Sequence, residues 1–361
     1  MPRALMLALL VLLAAPATGG AAARCAPRHG ERTLARSAEA TVLQRYRDVT
    51  YDGTLYSTVQ TILGCSRSTG RRRVITRKEV LDTTPGEAVD GVRLAGTRVA
   101  YVASFGSKDG SHATGLVADD AVHRGRRHDL TQLGRFPFAN PGQGIAAWAV
   151  GRDGTVAWVA RGDGDQLVVW RPSDDLLRRF DVGFDLGGPV TLTGGTVRWR
   201  HAGADRVAPL TPPPSRCGGA PARAGTPEVD LTITGATLTA CLRATGQTLT
   251  VAGHYASYAM LVDVAGPYVA LSGQGAIARL DLTAGGVAET IPARGMAYAR
   301  VDAAGSLAWV DQPDAHSTAL WVRDAAGTRQ IGGPVPLDYR RLARDGAVVR
   351  DGLGTFVTLA P

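Results

Sequence analysis

The sequence predicts an all-β chain of repeated antiparallel units, on three observations. A hairpin template built around a turn glycine recurs six times, and a cysteine-marked signature occurs twice. Apolar residues nowhere recur at helical spacing over any length beyond the N-terminal leader.

That leader comes first. Met1-Pro2-Arg3 gives a short positive segment, residues 4–15 are apolar but too few to span a bilayer, and Ala21-Ala22-Ala23 supplies small residues for cleavage. Residues 1–23 are therefore expected to be a signal peptide, with Arg24 as the mature N-terminus. Lipoprotein processing needs a small residue before its cysteine, and Arg24 before Cys25 is not one, so no lipid anchor is expected. Later apolar runs fall short of about 18 residues. The expected location is secreted or extracytoplasmic, in the cell envelope, with no membrane span.

The two signatures are Cys65-Ser66-Arg67-Ser68-Thr69-Gly70 and Cys241-Leu242-Arg243-Ala244-Thr245-Gly246, each preceded by a second cysteine, Cys25 and Cys217. Fixed internal repetition is the mark of a repeat architecture. Four cysteines in an exported chain allow three connectivities, and the duplication selects Cys25 with Cys65 and Cys217 with Cys241. Their expected role is structural.

The hairpin template reads apolar stretch, turn with Gly, then a strand of small and aromatic residues. Its copies turn at Gly96, Gly154, Gly195, Gly266, Gly305 and Gly346. Glycine supplies the positive φ of a tight hairpin, and alternation on either side gives each strand one core face. Two more strands follow several copies, as at 166–170 with 177–182 and 319–322 with 328–331. Four strands in about 40 residues is the period of a propeller blade.

The expected fold is thus a single β-propeller domain over residues 24–361, of six to eight four-stranded blades with an internal duplication. Its halves are approximately 24–216 and 217–361, joined by the Pro-rich stretch 210–226 as an exposed connector. The count is eight if each cysteine-marked segment is its own blade and six if each completes the unit before it. The C-terminal unit, 339–360, resembles the short unit 189–210, and residues 32–44 are expected to complete its sheet and close the ring.

The Asp-Gly-x-apolar-Ala-Trp hairpins at 153–158 and, with Ala304 in place of Asp, at 304–309 carry a resemblance to the WD40-like or TolB-type β-propeller repeats of bacterial envelope proteins. The resemblance covers most of residues 30–361, although several copies lack the Ser-Pro-Asp-Gly opening of that repeat. It implies fold far more than activity.

A formal net charge of +8 raises the question of a polyanionic partner. The excess is almost wholly arginine in an Ala/Gly-rich chain, with Lys78 and Lys108 the two lysines. This is the skew of a GC-rich genome, and no nucleic-acid partner is expected.

Candidate chemistry is sparse. His112, His123, His128 and Asp129 share one predicted unit, but the odd offset from His123 to His128 puts them on opposite strand faces, and surface histidines are expected rather than a zinc site. Asp163 and Asp165 resemble half of a Ca²⁺ loop without its closing Glu, and read as turn residues. Arg71-Arg72-Arg73 with Arg77 and Lys78 reads as a solvated, charge-protected edge strand; the alternative is a patch for anionic glycans or phosphate. Trp148, Trp158, Trp170, Trp199, Trp309 and Trp321 read as packing between blades, the alternative being a sugar-binding platform. Nucleophile elbows, phosphate loops and zinc-helix motifs are absent from the sequence, and no catalytic residue, metal or cofactor is expected.

The functional expectation is an exported, non-enzymatic scaffold of unknown oligomeric state, binding a protein or cell-wall glycan through loops on one face. The alternative is an extracellular carbohydrate-active hydrolase or lyase, with carboxylates such as Asp119, Asp120 or Asp263 turned to a central channel. A purely structural surface protein is the third reading.

Overall fold

The computed structural model describes residues 24–81, 87–106, 112–131, 144–162, 164–212, 214–218, 222, 224–234, 237–252, 262–283, 287–312, 314, 316–336, 342–351 and 356–360. The leader 1–23 and Asp163 lie outside them. All secondary-structure elements among the described residues are strands.

They form consecutive meanders. The first unit holds β1 (Glu31–Arg36), β2 (Ala40–Tyr51), β3 (Thr54–Ser66) and β4 (Arg72–Leu81); the second holds β5 (Glu87–Ala95), β6 (Arg98–Gly106), β7 (His112–Asp120) and β8 (His128–Asp129). The third comprises β9 (Ile145–Val150), β10 (Val156–Ala160), β11 (Asp165–Arg171) and β12 (Leu176–Gly183), and the fourth β13 (Leu186–Thr193), β14 (Thr196–His201) and β15 (Ala204–Pro209). In the fifth are β16 (Ala224–Gly225), β17 (Val229–Thr234), β18 (Thr237–Leu242) and β19 (Thr248–Ala252). The sixth runs through β20 (Val262–Ala265), β21 (Tyr268–Leu271), β22 (Gly273–Asp281) and the first part of β23 (Val287–Val301). The rest of β23 opens the seventh, with β24 (Leu307–Asp311), β25 (Ser317–Asp324) and β26 (Gly327–Pro336); β27 (Leu342–Asp345), β28 (Val348–Asp351) and β29 (Phe356–Thr358) make the eighth.

All pairings within units are antiparallel, and each of the six template glycines sits in the turn between two paired strands with positive φ. Two sheets are composites. A short parallel pair, Leu177–Arg178 against Ala224–Gly225, joins β12 to β16, and β23 bends to serve both the sixth and seventh units. The end of the 210–226 connector is therefore drawn into a sheet linking the two halves.

The expected closure by the N-terminus is corrected. Residues 32–36 pair with 41–44 of β2 inside the first sheet, while the last unit has three strands among the described residues. β2 is paired by β3 on one side and, over Thr41–Arg45, by β1 on the other, so residues 32–44 are used up within the first sheet.

Alternation builds the core between units. Val42 and Ile62 of the first face Val99, Tyr101 and Val117 of the second. Trp158, Trp170, Leu231, Leu238 and Leu271 share the largest apolar cluster, which draws on the second, third, fifth and sixth units. Each such large side chain contributes roughly 1.5–3 kcal/mol by leaving water. Gly64 lies so near the Ala121 carbonyl that a Cβ would collide with it, so glycine is required where these two sheets meet.

The duplication runs deeper than the cysteines. Before β2, the Ser37 hydroxyl accepts from the amides of Glu39 and Ala40 at 3.1 and 2.9 Å; before β17, Thr226 does the same for Glu228 and Val229 at 3.2 and 3.1 Å. The Glu39 carbonyl accepts from Arg67 N at 2.9 Å and that of Glu228 from Arg243 N at 2.8 Å. Gly70 N donates to Ser66 O and Gly246 N to Leu242 O, at 2.7 and 2.8 Å, with φ of +75° and +79°. Disulfides join Cys25 to Cys65 and Cys217 to Cys241, and Arg24 and Arg216, the residues just before the leading cysteines, lie against those two glycines. The repeated module is thus Arg-Cys, then Ser/Thr-x-Glu, then Cys-x-Arg-x-Thr-Gly. The copies differ chiefly in hairpin length, 12 and 13 residues for β2 and β3 against six each for β17 and β18.

Candidate functional site

The candidate site is a cavity of about 460 Å³ where the third to sixth and the eighth units converge. Its walls are Arg179–Val182 of β12, Trp199 and His201 of β14, the Thr226–Glu228 turn, and the hairpin ends at Gly266 and Gly346.

Two ionic clusters organise it. Behind the lining residues Arg179 and Arg344, Asp263, in the wholly buried run of β20, is 1% exposed and holds Arg179 at 2.8 Å and Arg344 at 2.9 Å. Val301 N also donates to it at 3.0 Å, and Arg179 reaches the Val264 carbonyl at 2.6 Å. Burial alone would raise the Asp263 pKa, but Arg344, Arg179 and Arg300 outweigh it and hold the carboxyl well below the usual range. Burial likewise pushes the Arg179 guanidinium down to about 10, against the pull of Asp263. A carboxylate so held is an ionised structural anchor; it does not serve as a proton donor at neutral pH.

In the wall, His201 stands between two carboxylates. Its Nδ1 lies 2.8 Å from Asp181 and its Nε2 3.1 Å from Asp345 of the eighth unit, while Trp199 Nε1 donates to Asp181 at 2.7 Å. Burial works against the imidazolium, yet the bonds to Asp345 and Asp181 prevail and raise the His201 pKa. Gly183 makes room: a Cβ there would come within 2.8 Å of His201 Cε1.

The sequence-predicted candidates are scattered. Asp119 pairs with Arg73, and Asp120 accepts from the amides of Val122 and His123 at 2.8 Å, both beside a smaller cavity of about 120 Å³ that does not include Asp263. Of the carboxylates named for the carbohydrate-active alternative, Asp119 and Asp120 belong to β7 of the second unit and share the smaller cavity, and Asp263 lies apart from it, closed under Arg179 and Arg344 of the third and eighth units. The arginine run also divides, Arg72 going to Glu31 at 2.6 Å and Arg73 to Asp119, while Arg71 and Arg77 are exposed. His123 leans on Asp120 and His128 packs on Trp170 at 4.6 Å; Asp165 pairs with Arg161.

The tryptophans lie in the packing. Trp158, Trp170, Trp199 and Trp309 are buried, Trp321 stacks on Trp309 at 6.2 Å, and Trp148 lies under Arg93 at 5.0 Å. The indole N–H groups of Trp170 and Trp321 donate to Asp175 and Asp311.

His201, Asp181 and Asp345 escaped the sequence reading, since 144 residues separate His201 from Asp345. The signal that existed was a charged residue inside an apolar strand, as in Val262-Asp263-Val264 and Leu177-Arg178-Arg179.

No family model matches the chain, and no curated protein matches it. Solved structures to which it is similar include the β-propeller domain of the Trilobed protease from Pyrococcus furiosus, at 10% identity over 82% of this chain and 96% of that one, with a TM-score of 0.31. A prolyl endopeptidase is similar at 11% identity over 92% of this chain, TM-score 0.28, and the puromycin-hydrolyzing peptidase of Mycobacterium tuberculosis at 16% over 80%, TM-score 0.28. The chain spans about half of each peptidase, 54% and 51%. The strands and their pairing define the class: an all-β, propeller-type repeat protein.

Proposed function

We propose that the protein is an exported, non-enzymatic scaffold that binds a protein or cell-wall glycan through its surface loops and hairpins. The observation that carries this reading is the commitment of the ionisable groups in and behind the wall of the candidate cavity. Asp263 is held by Arg179 and Arg344, and His201 by Asp181 and Asp345, so these groups fasten units together. Such a frame leaves recognition to its surface, where rigid folds commonly carry it.

A prominent surface feature among the described residues is the long β2–β3 hairpin of the first module. It ends in a type I′ turn, with Asp52 at φ 49° and Gly53 at φ 79°, and presents Tyr46, Tyr51 and Leu55 to solvent. The two disulfides and the leader support an extracytoplasmic setting.

A thermal-shift screen of the mature protein against cell-wall glycans, other polysaccharides and short peptides tests this. A ligand at 100 times its Kd stabilises by about 2.7 kcal/mol. A shift without turnover of the ligand is expected; steady conversion of a polysaccharide to products would replace the scaffold reading with an enzymatic one.

A further inference from the structure

The two disulfides occupy equivalent places in the repeated module but different surroundings, and the strand register gives the reason. Leu43 of β2 and Leu63 of β3 are cross-strand partners two residues from the Thr41–Cys65 pair, and they pack with Cys25 and Cys65 in one buried cluster. At the same register positions of the second module, two residues from the Asp230–Cys241 pair, stand Thr232 and Thr239. Side chains two apart on a strand share a face, so each of these pairs lies beside its cysteine.

Two threonines do not close over a sulfur pair as two leucines do. Cys217 and Cys241 line, with Thr232, Thr239 and Thr248, a cavity of about 460 Å³ between the 210–226 connector and the β17–β18 face. This cavity shares no lining residue with the candidate site. Cys25 and Cys65 are both buried, whereas Cys217 is half-buried.

The charges beside the second bridge are already matched. Asp230, the cross-strand neighbour of Cys241, binds Arg178 at 2.9 Å and Arg243 at 2.8 Å and accepts from Ser215 at 3.0 Å. It therefore presents no bare carboxylate to repel an incoming thiolate. The bridge also closes the shorter loop, 24 residues against 40, so opening it frees less chain. The β17–β18 ladder and the bond from Arg216 N to Arg243 O, at 2.9 Å, do not run through it.

We propose that Cys217–Cys241 is a thiol-exchange site, opened by a dithiol reductant while Cys25–Cys65 stays closed and the sheets stay folded. One thiolate of the dithiol attacks Cys217 Sγ, and the bond to Cys241 breaks with its electron pair on Cys241 Sγ, which takes up a proton. The second thiol, as thiolate, then attacks the reductant's own sulfur in the mixed disulfide and releases Cys217, which is protonated in turn. The bridge gains two electrons and two protons, and the dithiol becomes a disulfide. This goes beyond the scaffold reading and does not rest on it.

The test treats the folded mature protein with graded dithiothreitol, traps free thiols with N-ethylmaleimide and maps them by mass. Cys217 and Cys241 should be labelled at least about tenfold faster than Cys25 and Cys65, with the far-UV sheet spectrum unchanged. Hydrogen exchange at the amides of Arg216 and Cys217 should quicken on opening. Glutathione in place of dithiothreitol should leave its adduct on Cys217; an adduct on Cys241 would overturn the assigned attack. Thr232→Leu with Thr239→Leu, which restores the leucine pair of the first module, should slow opening by at least about tenfold. An unchanged rate in that variant, if it folds, would overturn the threonine explanation. Equal rates for the two wild-type bridges, earlier opening of Cys25–Cys65, or opening only with loss of the sheet spectrum would overturn the site, whether or not the variant folds.

Discussion

His201 of the fourth unit lies 3.1 Å from the Asp345 carboxylate of the eighth, and the same ring lies 2.8 Å from Asp181 on its other side. The imidazole thus bridges segments from both halves of the chain. Arg179 and Arg344 at the cavity floor, with Arg206 and Glu228 in its wall, complete the charged surroundings.

Because the folded pKa of His201 is raised above its unfolded value, the clasp contributes fully below about pH 6.5, the ordinary histidine value, and its contribution fades as pH rises through the raised folded value. His201→Gln should cost about 1–2 kcal/mol at mildly acidic pH. Melting curves across pH should show the gap between wild type and variant narrowing on the alkaline side. A gap that widened there would contradict the sign.

Asp263→Ala leaves Arg179 and Arg344 buried without their shared counter-ion. Breaking such a cluster from one side costs about 3–5 kcal/mol, to be read as a lower urea midpoint. A loss below about 1 kcal/mol would show that water reaches the cavity floor.

Gly183→Ala tests the fit of the clasp. Its Cβ would overlap the His201 ring and approach Asp345 Oδ2 to 3.0 Å, so the change should destabilise by about 1–3 kcal/mol. It should also flatten the pH dependence assigned to His201. Combined with His201→Gln, its cost should shrink, because the ring it strikes has gone.

Local chemistry made the strands legible. The hairpins at Gly96, Gly154, Gly195, Gly266, Gly305 and Gly346, and the cysteine signatures, carry turn and alternation signals within a few residues of sequence. The meeting of His201 with Asp345, or of Asp263 with Arg179, has no such local signal, since it depends on which units pack together. The Ser37 and Thr226 caps were visible in the sequence as Ser-Ala-Glu and Thr-Pro-Glu, but their equivalence emerges only when both receive the same backbone bonds. That β1 and β2 pair with each other and not with the last unit has no local signal either, since the same residues offer the same alternating edge to both partners.

The disulfide-clasped module is present twice, and removing either bridge should cost about 2–4 kcal/mol. Non-reducing peptide mapping of the mature protein tests it most directly. Cys25–Cys65 and Cys217–Cys241 as the two linked pairs would agree with two copies of one module. A peptide linking Cys25 or Cys65 to Cys217 or Cys241 would contradict it, because a crossed bridge cannot close both modules.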